Sequence, residues 1–287
     1  MSNRHRATLQ MLACAMMWSI SGIFIKMIPW NPLVIAGWRS LIGGAVIYIY
    51  MRLKRIPLII NRKSLPGGVF LALTLLCFLT TNKMTSPANA VVLQYTAPIF
   101  ILLFSALILK KKFSPADYAV VLLTVIGITM FFIDGLTAAN AAGNGIGILS
   151  GIFFAAMFMT TNGIDENTRM NALFIGQILT AAVGVPLTFA FDSPASFAAL
   201  MSLAVLGVVQ LGIPYILYGL AVKYCPPLYI SLLASLEPLL NPLLVYIFMG
   251  EAPGPWALLG GLLVVATIAA WYVWQERKAA SQLSQSR

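Results

Sequence analysis

Two ionisable side chains sit where ionisable side chains are expensive. Glu237 lies about ten residues into the apolar run 227–249, and Arg39 about six residues into the run 33–51. A charge at the centre of a membrane helix costs at least about 2.5 kcal/mol, so the Glu237 carboxyl is neutral, paired or facing a watered cavity. Such a carboxyl can carry a proton, or it can cap backbone freed by Pro238. Arg39 keeps its proton and must find an acceptor. It suits a clamp on a substrate carboxylate, a partner for an acid, or a side chain snorkelling to the interface. An amino-acid zwitterion would complement the pair and leave no buried charge unmatched.

Polar and aromatic groups accompany this pair. Gln94 and Tyr95 stand one turn before Pro98, and Asn241 one turn after Glu237. Gln210, Pro214 and Tyr218 are spaced by four, which predicts one shared helix face. Trp18 and Gly22 share a face of the first run, and Asn82 closes the third. Amides and hydroxyls in lipid are costly, so these faces should point inward as a substrate cavity or as interhelical hydrogen bonds. Phe154 and Phe158 add an aromatic wall or a packing stripe. Pro98 and Pro238 fall inside equivalent runs, where a proline removes a backbone bond and kinks the helix. A kink that frees carbonyls beside a cavity serves as a hinge.

The elements that position these residues follow from composition. The 287 residues are 60% hydrophobic and 9% charged, with a mean hydropathy of +0.90. Soluble domains carry roughly 45–50% apolar and about 25% charged residues, so this is an all-α polytopic membrane protein. Apolar runs lie at about 7–28, 33–51, 66–82, 87–109, 117–133, 145–162, 171–191, 199–220, 227–249 and 256–275. They predict ten transmembrane helices. The first is too long for the apolar region of a signal peptide and is read as a retained span.

The net charge of +10 reports topology rather than a nucleic-acid partner. With both tails on one side, that side collects Arg4, Arg6, Arg52, Lys54, Arg55, Arg62, Lys63, Lys110, Lys111, Lys112, Arg169, Lys223, Arg277, Lys278 and Arg287. The other side holds Lys26 and Lys83 with Asp134, Asp192 and Glu251. Both termini are therefore expected in the cytoplasm, with the spans among membrane lipids. Cys14, Cys77 and Cys225 lack a paired spacing, and the single histidine, His5, is in the tail. No metal or other cofactor is called for.

A shift of 140 residues superimposes the chain on itself. It pairs Asn31 with Asn171, Gly44 with Gly184, Gly67 with Gly207, Lys83 with Lys223, Pro87 with Pro227, Pro98 with Pro238 and Pro115 with Pro255. The units are 1–140 and 141–287. Five helices per unit is an odd number, so the units must be inverted relative to each other. Inverted repeats, with a site near the midplane, are the architecture of secondary transporters.

Several stretches resemble the EamA-like drug/metabolite transporters. They are Ala13 to Ser19, Trp38-Arg39-Ser40, Leu232 through Glu237-Pro238 to Leu240, and Phe248-Met-Gly-Glu251. The resemblance implies a ten-helix bacterial inner-membrane carrier of small metabolites, often amino acids or their analogues, with a cavity lined mainly by runs 1, 3, 4, 6, 8 and 9. In the first half Lys110-Lys111 replaces the Gly-Glu that the second half keeps at Gly250-Glu251.

These readings favour alternating-access transport of a small amphipathic metabolite, an amino acid or related compound, with possible proton coupling. The alternative is a broad exporter of cationic drugs or amines, for which Glu237 is the counter-charge. An enzyme would need a nucleophile–base pair or metal cluster that the membrane runs do not offer. No nucleotide-binding loop of the G-x-x-x-x-G-K-[ST] type is present.

Overall fold

The computed structural model describes residues 3–20, 24–25, 27–85, 87–131, 133, 141–240 and 254–285. Among them every regular element is helical. In chain order these are α1 (Asn3–Ser19), α2 (Pro32–Leu53), α3 (Ser64–Met84), α4 (Pro87–Gln94), α5 (Ala97–Leu107), α6 (Pro115–Phe131), α7 (Ala141–Thr161) and α8 (Glu166–Gly184). A short 3₁₀ turn (Pro186–Phe189) and α9 (Phe197–Val205) follow. A π-helical segment (Leu206–Gly212) then leads into α10 (Ile213–Ala221), α11 (Pro227–Ala234) and α12 (Pro255–Gln285).

The starts of these helices are written locally. Asn31 Oδ1 accepts from Leu33 N–H, with Pro32 in the first turn. Asp165 and Ser196 cap α8 and α9 in the same way, through Thr168 N–H and Ala199 N–H. Each satisfies a backbone donor that lipid could not. At the start of α6, Asp117 accepts from Ser114 N–H and Oγ, and from Trp271 Nε1 and Gln275 Nε2 of α12.

Among the described residues, seven stretches are long and apolar enough to cross a membrane: Pro32–Leu53, Ser64–Thr81, Ala90–Leu107, Ala141–Thr161, Glu166–Phe189, Phe197–Ala221 and Pro255–Gln275. Pro115–Met130 and Pro227–Leu240 are apolar but shorter, and α1 has 17 residues with a polar start. The difference from the expected ten is local. Residues 21–23 beyond α1 and 241–253 beyond Leu240 lie outside the described residues.

The chain packs by crossing between its two halves. α3 lies against α7 and α8, α2 against α8 and the π segment, α1 against α10, and α6 against α12. Glycines set the closest approaches. A Cβ added at Gly37 would lie 2.4 Å from the Gly184 carbonyl carbon, so two backbones touch there. A Cβ at Gly44 would meet Gln177 Cβ at 3.4 Å. Numbers rise along α2 as they fall along α8, so these two helices are antiparallel. α3 and α8 are parallel instead: Gly67 faces Ala172, and Gly176 faces Leu71.

The two helices expected to be kinked by proline are broken instead. The first break is at Tyr95–Thr96, between α4 and α5; the second is at Ser235–Leu236, after α11. The backbone bonds correspond at a spacing of 140. Thr96 N–H donates to Leu93 O and Ile99 N–H to Thr96 O; Leu236 N–H donates to Leu233 O and Leu239 N–H to Leu236 O. Pro98 and Pro238 lie just past each break, in the first turn of the next helix, where a proline has no backbone donor to lose.

Candidate functional site

The two breaks meet. Tyr95, at the first, donates its phenolic hydrogen to Glu237 Oε2, at the second. Tyr95 is buried and its ring stands edge-on to Phe154 of α7 at 6.2 Å. From there a succession of rings crosses the bundle. Phe154 packs on Phe158 at 4.4 Å, Phe158 on Tyr218 at 5.6 Å, Tyr218 on Tyr215 at 6.3 Å, and Tyr215 on Trp18 at 5.5 Å. The rings form one continuous buried stack, to which α1, α7, α10 and the first break all contribute.

Arg39 approaches from α2 and is only 4% exposed. Its Nη1 donates to Gln210 Oε1 at a long 3.5 Å, and its Nε has no hydrogen-bond partner among the described residues. The guanidinium lies within electrostatic reach of Tyr215 and Glu237. Trp18 Nε1, also buried, likewise has no partner among the described residues. Both groups are pure donors, and Glu237, which supplies an acceptor, lies within electrostatic reach of Arg39.

The π segment explains the position of Gln210. Pro214 cannot donate to the carbonyl of residue 210 and its ring crowds that turn. The chain upstream widens to i→i+5 bonding across Leu206–Gly212. The freed part of the helix lets Gly207 seat against Ile42 of α2, bringing Gln210 to Arg39. Pro214 O in turn accepts from Cys14 Sγ–H at 3.1 Å, which fixes α1 beside α10.

The sequence-based candidates separate into groups. Tyr95, Glu237, Arg39, Gln210 and Trp18 converge from five segments. Gln210 and Tyr218 do not share a face as expected. The wider π turns rotate Gln210 towards α2, whereas the Tyr218 hydroxyl shares a hydrogen bond with Thr161 of α7. Tyr218 thus contributes its ring to the wall and its polar atom to packing. Gln94 ends α4 half-buried, with its carbonyl facing Gly151. The Asn82 side chain, Gly22 and Asn241 lie outside what the structure describes.

Three features escaped the sequence reading. Tyr215 bridges Trp18 and Tyr218, but only the π segment's phase brings it there. Gly151 lets α7 reach the first break, where a Cβ would come within 2.8 Å of Leu93 O and Thr96 Oγ1. Arg169 was counted among solvent-side cations, yet it is 1% exposed. Its guanidinium donates to Thr161 O at 2.8 Å, Gly219 O at 2.9 Å and Ile164 O, bracketing the ends of α7 and α10.

The family sequence model for EamA-like transporters matches residues 5–133 and again 141–273. The chain belongs to the EamA-like transporter family. It is a transporter rather than an enzyme, and its apolar helices make it a multi-pass membrane protein. A pseudopaline exporter of Pseudomonas aeruginosa is 26% identical over 239 residues, covering 81% of this chain and 83% of the relative. An uncharacterized transporter of Archaeoglobus fulgidus is 25% identical over 263 residues, covering 91% and 94%. A solved crystal structure superimposes with a TM-score of 0.81 over 94% of this chain and 98% of its own, at 19% identity, a likeness of fold.

Proposed function

We propose that this protein is a secondary transporter that moves a small zwitterionic metabolite, an amino acid or a related amphipathic compound, across the cytoplasmic membrane by alternating access. The reading includes ten transmembrane helices in two inverted units, 1–140 and 141–287, with both termini in the cytoplasm. Three observations support the inversion: a family match in each half, corresponding breaks, and the antiparallel crossing of α2 with its counterpart α8. The exporter name of one relative supports outward transport.

The observation that supports the substrate class is an acceptor, Glu237, near donors of Arg39 and Trp18 that find no partner among the described residues. Glu237 also has the chemistry to exchange a coupling proton for a substrate ammonium. The test is counterflow in proteoliposomes with a panel of amino acids and the amines formed by their decarboxylation. Exchange of amino acids but not of the matching amines is expected. Exchange of neither would overturn the reading.

A second reading, export of cationic drugs or amines, is favoured by the ring wall that ends at Glu237, since aromatic faces attract cations. Preferential exchange of the amines would select it.

A further inference from the structure

Among the described residues, two non-glycine residues have a positive φ: Arg55 at 55° and Lys110 at 50°. Both are cations just past a helix C-terminus, in a conformation that strains any residue with a Cβ and that glycine adopts freely. Arg55 completes a six-residue Schellman closure of α2, with Ile56 N–H donating to Met51 O and Arg55 N–H to Arg52 O. The end of α7 shows the usual solution, Gly163 at φ 76°. In the second half the residue at the register of Lys110 is Gly250. Local backbone preference thus favours glycine at both positions, and a charge stands there instead.

Both cations stand beside exposed apolar triplets. Arg55 lies between Lys54 and the segment Leu58-Ile59-Ile60, exposed by 55%, 46% and 70%, which runs on to Arg62 and Lys63. Lys110 follows Leu107-Ile108-Leu109, all more than half exposed, and precedes Lys111 and Lys112. The first segment is not a loose loop. Asn171, itself buried, accepts from Ile59 N–H at 2.8 Å and donates to Pro57 O at 2.9 Å, holding the triplet outward.

The two segments occupy one end of the bundle. α7 runs from Gly143 beside Thr85 to Thr161 beside Gly67, so the start of α3 lies at the C-terminal end of α7. Leu93 meets Gly147 and Thr96 meets Gly151, so α4 and α5 descend along α7 towards that same end.

We infer that this rim, built by Arg55 and Lys110 with their apolar triplets, binds anionic phospholipid headgroups. The triplets enter the acyl boundary, and the strained cations are held at phosphate depth. Aliphatic side chains flanked by lysine and arginine fit that interface, and each cation adds attraction to an anionic leaflet.

The test uses the purified full chain in neutral detergent with phosphatidylglycerol, phosphatidylcholine or free glycerol phosphate. Phosphatidylglycerol should raise the melting temperature of wild type, and the other two should not. In the double variant Arg55→Gly with Lys110→Gly, relief of backbone strain should raise the lipid-free melting temperature. Its affinity for phosphatidylglycerol should fall about thirty-fold. Arg55→Gln with Lys110→Gln should show the same fall in affinity without gaining stability, which keeps the idea testable if the glycine variant folds poorly. An undiminished phosphatidylglycerol response in both variants would overturn the inference. So would equal stabilisation by glycerol phosphate.

Discussion

The two helix breaks are alike in backbone and unlike in chemistry. Each ends a helix at the same register, reuses the same i→i−3 bonds and places a proline in the following turn. At the first the exposed chemistry is a phenol, Tyr95; at the second it is a carboxyl, Glu237. Their surroundings differ too. The first break is reached by Gly151 of α7, whereas the register counterpart of Gly151 in α1 is Met11, fully buried. The two breaks therefore share the way a helix is interrupted, while their side chains differ, a donor and an acceptor that meet. Neither half alone supplies that pair.

Breaking the first site from outside should have the largest effect. Gly151→Val places methyl groups against Leu93 O and Thr96 Oγ1 and costs about 3 kcal/mol or more. Most folded protein should be lost in size-exclusion profiles, whereas Met11→Leu should cost less than about 1.5 kcal/mol. Equal losses would mean that the two breaks are supported in the same way.

Glu237→Gln keeps size and removes the charge. Turnover in proteoliposomes should fall at least ten-fold, and its response to pH should flatten, with the fold retained. A wild-type pH profile in this variant would remove Glu237 from any proton step.

Tyr95→Phe keeps the ring on Phe154 but leaves Glu237 without its donor, at a cost of about 1.5–3 kcal/mol. Ser235→Ala, at the matching position, removes only a bond to Ser231 O and should change substrate binding little. Calorimetric titration of both variants compares the phenol with its counterpart directly.

The smallest effects belong to the prolines. Because Pro98 and Pro238 sit in first turns, Pro→Ala at either should shift stability by less than about 1 kcal/mol. If the breaks act as hinges, turnover should slow while affinity stays unchanged. Unchanged turnover in both variants would reduce them to helix-starting residues.

Much of the architecture was legible in the sequence because rare residues carried it. Prolines and asparagines recur by chance less often than leucines, so Pro98 with Pro238 located both breaks before any geometry was known. The form of the break was not legible: a proline within an apolar run reads as a kink, and only backbone bonding shows a new helix start. Glu237 and Arg39 announced themselves by their cost in lipid. Tyr215 did not, because its place depends on a π segment whose wider turns no periodicity of four anticipates. Arg169 was misjudged for a related reason. A charge beside a helix end looks solvated in one dimension, and only packing shows that carbonyls surround it.

That bracket also has a bearing on the order of assembly. Thr161 and Ile164 lie 8 and 5 residues from Arg169, so the guanidinium can find them as soon as this stretch has left the ribosome. Gly219 lies 50 residues further along. Until it emerges one of the three carbonyls is missing, so the bracket can be complete only after α10 has been made.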